Sequence, residues 1–317
     1  NEYTYLKLEK LAHTLKTLKE NGPEYFYQGE LAESLVADVQ NAGGKLSKQD
    51  LIDYSAQVVD PITAIRGSLV YNLLPGMSAG PTFVDALENI PEFDMQKPSP
   101  DSHAFTAKAL IEAYGKRFET MGHSGDVADR SCTTNISAVD HHGNMVIMTT
   151  TLLSRFGSRY VAPTSGILLN NGINWFDPRP DRPNSIAAGK KPLSNMCPMI
   201  ATKQGRPVFG LGASGGRKIL PAVFQLASYI NDFNMNLDIA LDEPRFDVSG
   251  INKIIFDPRF DIKVQKSLEK VSSAEPWVPS AFPSMYAVPS GVQILGKDAL
   301  IGGAHTHSPL SGAVGVG

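Results

Sequence analysis

Residues 131–152 read SCTTNISAVDHHGNMVIMTTTL, and this stretch decides the fold. Polar and apolar side chains alternate over 134–140 and again over 145–152, which is typical of half-buried strands. The HHGN between the two runs has the composition of a turn. We therefore predict an antiparallel hairpin whose return strand brings Thr151 back beside Thr133.

Thr133 stands at the head of this hairpin, directly after Cys132. A chain cut between the two residues would carry a hydroxyl nucleophile and a free α-amine on Thr133. The unperturbed pKa of an α-amine, roughly 7.7–8.0, suits it to accept the hydroxyl proton near neutral pH. Threonine with an N-terminal amine is a known catalytic arrangement. The polar residues 122–126 just upstream favour an exposed cleavage site. The alternative is that the threonines simply fill β positions.

Residues 212–216 read GASGG and offer a second candidate for the chemistry. The segment matches Gly-x-Ser-x-Gly between a predicted strand at 207–211 and a predicted helix at 218–230, as in a nucleophile elbow, which would make Ser214 the nucleophile. The acid and base that a serine hydrolase needs follow in order, as Asp242 or Asp247 and then His305 or His307. Two features oppose this alternative. No His-Gly-Gly oxyanion segment lies upstream, and the predicted hairpin is antiparallel.

The same glycines allow two further interpretations. They permit a tight strand-to-helix turn, or the backbone N–H groups of Gly215 and Gly216 form an oxyanion hole at a helix N-terminus. The sequence by itself leaves these alternatives open.

Composition excludes several function classes. The 317-residue chain has a net charge of −3 and no long basic block, which argues against nucleic acid as a partner. No apolar run reaches the roughly 18 residues of a membrane span, so no membrane association is expected. Its two cysteines, Cys132 and Cys197, cannot build a disulfide framework, and no signal peptide is visible. These features slightly favour the cytoplasm, although the chain does not open on Met.

The remaining pattern is helical before the hairpin and mixed after it. Helices are predicted over about 6–18, 30–40 and 105–118, and Ser47 is predicted to cap a short helix through Asp50. An extended segment is predicted over 62–74 and a connector over 91–101. Further strands are predicted at 166–170, 199–202 and 207–211.

Several motifs, in order and with suitable spacing, resemble those of the γ-glutamyltranspeptidase family. The resemblance covers roughly residues 25–250. The motifs that resemble the end of the family's large subunit are Tyr27-x-Gly29, Gly43-Gly44-x-Leu46-Ser47 and Asp50-Leu51. The motifs that resemble the family's small subunit are TTNISAVD at 133–140, Thr149-x-Thr151-Leu152, FGS at 156–158, SGILLNN at 165–171, PLSNMCP at 192–198, GASGG at 212–216 and EPRF at 243–246.

The resemblance implies an N-terminal nucleophile hydrolase with a four-layer αββα sandwich of antiparallel sheets, made as a precursor that cuts itself. Residues 1–132 would end the large subunit, and residues 133–317 would form the small subunit within the same structural domain. Thr133 would be the nucleophile, and Thr151 would tune its hydroxyl and amine. Gly215 and Gly216 would donate the oxyanion-hole N–H groups. No metal or cofactor is implied.

Departures from the family pattern bear on the substrate. Leu153 replaces an asparagine, and Trp175 stands where an acid would meet the substrate ammonium. An ammonium could still stack on Trp175, but it would lose a charge-assisted hydrogen bond. Of the paired serines that contact the carboxylate, Ser194 remains and Asn195 follows it.

The segment at 175–186 resembles the cephalosporin/glutaryl acylase branch more than true transpeptidases. We therefore expect an amide or peptide substrate whose acyl group carries a carboxylate but no α-amine, with Arg155 and Arg159 as candidate carboxylate partners. The large and small fragments should stay associated after cleavage, and a homo-oligomer is left open. A non-catalytic relative that keeps the fold is the remaining alternative, because nothing here matches the family's N-terminal half.

Overall fold

The computed structural model describes residues 6–93, 96–122, 131–250, 252–278, 287–296, 299–306, 308 and 311–316; at 131 and 132 only the main chain is described. In this described part of the chain the helices are α1 (Glu9–Asn21), α2 (Glu24–Gln28), α3 (Glu30–Asn41), α4 (Lys48–Ile52), α5 (Gly80–Glu88), α6 (Pro100–Thr120), α7 (Ile219–Asn231), α8 (Leu237–Asp242) and α9 (Ile262–Val271). The strands are β1 (Ile62–Arg66), β2 (Leu69–Leu73), β3 (Ser131–Val139), β4 (Met145–Ser154), β5 (Met199–Lys203), β6 (Arg206–Ser214), β7 (Phe246–Asp247), β8 (Ile254–Phe256), β9 (Ala274–Pro276), β10 (Val288–Gly296) and β11 (Ala299–Ala304).

The chain divides into two compact units. The first comprises Asn1–Val59 and Phe156–Asn171 and contains helices α1 to α4. Asp38 of α3 anchors the second of these segments, because its carboxylate accepts hydrogen bonds from the backbone N–H and the hydroxyl of Thr164 at 2.8 and 3.0 Å. Within this unit the predicted capping box is confirmed, since Ser47 and Asp50 bond reciprocally at the start of α4.

The second unit, Asp60–Arg155 and Gly172–Gly317, is built around a six-stranded sheet. Its order is β1-β2-β5-β6-β10-β11, and every neighbouring pair is antiparallel. A small sheet, β7-β8-β9, adds one antiparallel and one parallel pair. The hairpin β3–β4 forms a third sheet.

Alternation along β6 explains why helices and hairpin lie on opposite faces of the large sheet. Phe209, Leu211 and Ala213 are fully buried in a core shared with residues of α5, α6 and α7. Gly210 and Gly212 point the other way, toward the hairpin. Side chains along a strand alternate between faces, so the second unit stacks helices, sheet and hairpin as three layers.

The mixed fold of helices and antiparallel sheets is thus confirmed, and the hairpin, β5, β6 and α7 lie where they were predicted. The predicted strand at 166–170 is wrong: only Leu168 forms an isolated bridge, to Val161. The segment is a loop because Gly166 adopts a φ of 71° and its N–H bonds back to Ala162. The sequence pattern did not predict helices α8 and α9 or strands β8 to β11. The division of one structural domain at residue 133 stays a prediction.

Within the described residues, none of the helices is both long and apolar enough to cross a membrane.

Candidate active site

The hairpin register sets the geometry around the candidate nucleophile. Thr133 pairs with Thr151, and Asn135 pairs with Thr149. One step upstream the pairing jumps to Leu153 opposite Cys132, so that Leu152 is an additional residue on the return strand. This is a β-bulge, which breaks the regular ladder and re-aims the neighbouring side chains. It coincides with the predicted scissile bond, Cys132–Thr133.

The hydroxyls of Thr133 and Thr151 are in hydrogen-bond contact, with 3.0 Å between the two Oγ1 atoms. The Oγ1 of Thr151 also accepts the backbone N–H of Leu153 at 2.8 Å. A hydroxyl that accepts a bond becomes a better donor, so Thr151 is suited to stabilise negative charge on Thr133 Oγ1. Leu153 is 7% exposed and has a φ of 72°, which a bulge tolerates.

Asn135 fastens the hairpin to the large sheet. Its amide nitrogen donates to Ser290 of β10 at 2.9 Å, and its carbonyl accepts from Thr149 at 2.9 Å. A Cβ placed on Gly212 would lie 2.0 Å from Asn135 Oδ1, so only glycine allows this approach. The role of Asn135 in the structure is therefore to dock the hairpin onto the large sheet.

The packing of the hairpin also indicates what faces Thr133. A Cβ on Gly210 would meet Ile147, the partner of Ser137, and a Cβ on Gly212 would meet Asn135. A step of two residues back along β3, from Ser137 to Asn135, therefore matches a step of two residues forward along β6, from Gly210 to Gly212. The next step of two in the same directions leads from Asn135 to Thr133 on β3, and from Gly212 to Ser214 at the end of β6, before Gly215 and Gly216.

We call residues 215–218 the glycine turn. Gly215 has a φ of 140° and Gly216 a φ of 60°, and a short 3-10 helix, Gly216–Lys218, leads from them into α7. Conformations of this kind favour glycine. A Cβ on Gly215 would also lie 2.6 Å from the Cα of Ala287. The two glycines thus lie at a strand-to-helix turn, where the oxyanion interpretation requires them.

The serine-hydrolase alternative fits this geometry poorly. Ser214 is the last residue of β6 and still pairs with Val288 in the sheet, whereas a nucleophile elbow places its serine on the strained turn itself. Asp247 accepts hydrogen bonds from Ser249, and the His305 ring contacts Arg245 at 3.3 Å. His307 lies outside the described residues. In the part of the chain that is described, no group of three or more His, Cys, Asp and Glu side chains could hold a metal ion.

Residues 193–197, which we call the serine loop, carry Ser194 and Asn195. Ser194 Oγ accepts the N–H of Met196 at 3.2 Å, and the Ser194 N–H donates to Met77 O at 2.7 Å. Asn195 is buried. Burial raises the pKa of the Cys197 thiol to about 12, so this side chain stays protonated near neutral pH and does not compete as a nucleophile.

Asn184 connects the serine loop to Trp175 and was missed in the sequence. It is 1% exposed. Its amide nitrogen donates to Trp175 O at 2.6 Å, and its side-chain oxygen accepts the Leu193 N–H at 3.1 Å. The main chain of Gly122, just beyond α6, packs against it so closely that a Cβ would lie 2.8 Å from Asn184 N. Nothing in the sequence pattern marks this asparagine.

The remaining predicted site residues are placed as follows. Arg155 follows β4 directly and is exposed, and Arg159 belongs to the first unit, where its φ is 62°. Their carboxylate-binding role stays a prediction. The Cys132 side chain and residues 123–126 of the predicted cleavage segment lie outside the described residues.

Comparison with solved structures identifies the class of fold. The crystal structure of cephalosporin acylase from Bacillus halodurans matches with a TM-score of 0.81 at 21% sequence identity, over 95% of this chain and 61% of that chain. This likeness shows that the chain shares the fold of that acylase, and it confirms the predicted fold class.

Sequence comparison identifies the family. A family model for gamma-glutamyltranspeptidase matches residues 1–130 and 112–289. The glutathione hydrolase proenzyme of Escherichia coli K12 is 32% identical over 288 residues, 74% of this chain and 50% of that protein. The acylase ACY 1 proenzyme of Pseudomonas sp. strain SE83 is 28% identical over 279 residues, 75% of this chain and 50% of that protein. The chain belongs to the γ-glutamyltranspeptidase family.

The chain spans about half the length of the curated relatives it matches. Relatives named as glutathione hydrolases and a relative named as an acylase match it with similar identity, so the substrate is a separate question.

Proposed function

We propose that this chain carries the nucleophile of an autoprocessing threonine amidohydrolase or acyltransferase, which cleaves a γ-glutamyl- or glutaryl-like amide through an acyl-enzyme on Thr133. The observation that carries the proposal is the 3.0 Å contact between the Thr133 and Thr151 hydroxyls, beside a bulge at the predicted scissile bond. Relatives named as proenzymes support maturation by cleavage.

The proposed reaction uses groups that are on one residue after maturation. Hydrolysis of the Cys132–Thr133 amide frees the α-amine of Thr133. That amine takes the hydroxyl proton while Oγ1 attacks the substrate amide carbon, and it then returns a proton to the leaving amine. The product is an acyl ester on Thr133, which water or an acceptor amine releases. Backbone N–H groups of Gly215 and Gly216 would stabilise the oxyanion.

Two departures from the family pattern, at Leu153 and Trp175, favour an acyl group with a carboxylate and no α-amine. Leu153 is buried and apolar, and its N–H is already used by Thr151. Trp175 offers a ring where the family places an acid. An ammonium would therefore meet no carboxylate at these two positions, whereas a neutral methylene would be tolerated.

The two fragments are proposed to remain one particle after cleavage. Strand β2, before the cut, pairs with β5, after it, from Val70 to Leu73. Tyr114 of α6 likewise bonds to the glycine turn from the other side of the cut. Cleavage would leave this shared sheet and core intact, so denaturant should be needed to separate the fragments.

The proposal is tested by intact mass and by activity. Wild-type protein should give fragments 1–132 and 133–317, Thr133→Ala should stay whole and inactive, and Thr133→Ser should be cut and partly active. Activity is measured on γ-glutamyl, glutaryl and butyryl anilides, with the glutaryl substrate expected to be best.

Each contrary result points to a different alternative. A whole chain that is active overturns the proposal, and labelling at Ser214 by a fluorophosphonate identifies the serine hydrolase instead. A cut chain that turns over none of the three anilides contradicts the proposed substrate class, and an uncut, inactive wild type indicates the non-catalytic relative.

A further inference from the structure

We infer that one face of helix α6 positions both halves of the acyl site, through Tyr114 at the glycine turn and Arg117 at the serine loop. The inference rests on the proposed function, since it assigns these two residues to the site that Thr133 would serve. Both are positioning residues that act through the backbone they hold.

Tyr114 holds the glycine turn. It is 2% exposed, and its hydroxyl donates to the backbone carbonyl of Arg217, next to Gly216. Burial raises the pKa of Tyr114 far above its ordinary value, so the hydroxyl remains a donor at any working pH. The Arg217 guanidinium lies 5.5 Å from the centre of the Phe118 ring, one turn further along α6. The turn is therefore tied to α6 at its backbone and at a side chain.

Arg117 holds the serine loop. It is 3% exposed, and its Nη2 donates to Ser194 O at 2.6 Å. Its Nη1 donates to Ser78 O at 2.8 Å and to Thr82 Oγ1 at 3.0 Å. Since Ser194 N–H also bonds to Met77 O at 2.7 Å, the loop is held at its carbonyl and its N–H.

The charge of Arg117 gives it a second effect. In the part of the chain that is described, its partners are carbonyls, a hydroxyl and the sulfur of Met121, and none is a carboxylate. The neighbouring Cys197 thiol is protonated and supplies no negative charge. A buried cation with only neutral partners raises the electrostatic potential around the loop it holds. An anionic acyl group bound at Ser194 would be favoured over a neutral one of the same shape.

Tyr114 and Arg117 are three residues apart on a helix and so share one face. If they position two different parts of the site, their loss should change different kinetic constants. A residue that only fills the core would lower stability and affect every substrate alike. The two roles can therefore be separated by experiment.

The kinetic experiment compares Tyr114→Phe, Arg117→Lys and Arg117→Gln with wild type. Tyr114→Phe should lower kcat about 5- to 20-fold with KM changed less than about twofold, because one hydrogen bond that aligns the oxyanion donors is lost. Arg117→Gln should raise KM for a glutaryl anilide about tenfold and for a butyryl anilide less than about threefold. Arg117→Lys, which keeps the charge, should restore the preference for the glutaryl substrate.

Two matched controls use a buried tyrosine and a buried arginine that donate hydrogen bonds to backbone carbonyls outside the glycine turn and the serine loop. Tyr229 donates its hydroxyl to Pro244 O at 2.6 Å, and Arg245 donates to Leu241 O at 3.0 Å. Tyr229→Phe and Arg245→Gln should lower stability without either kinetic split. Equal loss of kcat/KM for both anilides in Arg117→Gln, or a Tyr114→Phe effect no larger than its control, would overturn the inference.

Amide hydrogen exchange tests the same positioning without any turnover. Tyr114→Phe should raise exchange about fivefold or more at residues 215–218, and Arg117→Gln should do so at residues 193–197, with the other segment unchanged. If the wild type proves inactive, the proposed function fails while this measurement still decides the positioning. Exchange that rises everywhere, or at neither segment, contradicts it.

Discussion

Replacing Thr151 with valine removes the hydroxyl that contacts Thr133 and keeps the shape of the side chain. The lost hydroxyl contacts Thr133 Oγ1 at 3.0 Å and accepts a hydrogen bond from the Leu153 N–H at 2.8 Å. During attack the Thr133 oxygen carries developing charge, and a hydrogen bond to a charged group contributes about 1.5–3 kcal/mol. At 1.36 kcal/mol per factor of ten, kcat should fall about 10- to 150-fold.

The assay follows both reactions that use Thr133. Intact mass measured over time gives the rate at which the precursor is cut, and anilide hydrolysis by the matured protein gives kcat. Both rates should fall in Thr151→Val, and Thr151→Ser should recover most of the loss because it restores the hydroxyl. The matched control is Thr149→Val on the same strand face, whose hydroxyl bonds to Asn135 at 2.9 Å instead of to Thr133. Its kcat should stay within about threefold of wild type.

The reasoning is refuted if Thr151→Val keeps kcat within threefold while its unfolding free energy matches wild type. It is also refuted if Thr149→Val loses as much activity as Thr151→Val, because the effect would then belong to the hairpin and not to the hydroxyl pair.

Three further outcomes are expected. Burial lowers the pKa of His103 to about 4, so the unfolded chain binds more protons between pH 6.5 and 4, and the unfolding free energy should fall by about 3 kcal/mol across that window. In urea titrations at a series of pH values, the unfolding free energy of His103→Gln should lack this fall between pH 6.5 and 4. A fall as large as that of wild type would contradict the prediction. Asp232→Asn should lower the unfolding free energy by about 3–5 kcal/mol in denaturant melts, because the buried Arg66 guanidinium would lose its charge partner. This guanidinium lies 3.0 Å from Asp232 and is 6% exposed. A loss under 1 kcal/mol would contradict the prediction. Gly212→Ala should cost about 1–3 kcal/mol and slow precursor cleavage, since its Cβ would lie 2.0 Å from Asn135 Oδ1; a crystal structure with the hairpin unmoved would refute the reason.

Features set by neighbouring residues could be predicted from the sequence. The Ser47–Asp50 cap and the pairing of Thr133 with Thr151 depend on spacing within one segment, and both are present. The strand predicted at 166–170 was wrong because an apolar run was given more weight than Gly166, whose left-handed backbone ends any extended pairing.

The contacts that organise the site come from residues far apart in the chain. Arg117 reaches Ser194 across 77 positions, and Asn135 reaches Ser290 across 155. No local period or motif encodes such pairs, since each depends on where a helix and a sheet finally pack. For the same reason Gly212 was assigned to a turn, whereas its missing Cβ is what admits the hairpin.

The sequence by itself determined the family, the hairpin and the candidate nucleophile. The alternation along a strand and the order of motifs can both be read directly from the linear sequence. Only the tertiary structure decided which groups surround that nucleophile. It places the Thr151 hydroxyl against Thr133, puts a bulge at the predicted scissile bond, and ties the glycine turn and the serine loop to one helix. Hydrogen bonds at 3 Å depend on how layers pack, and packing is settled only when the whole core is buried.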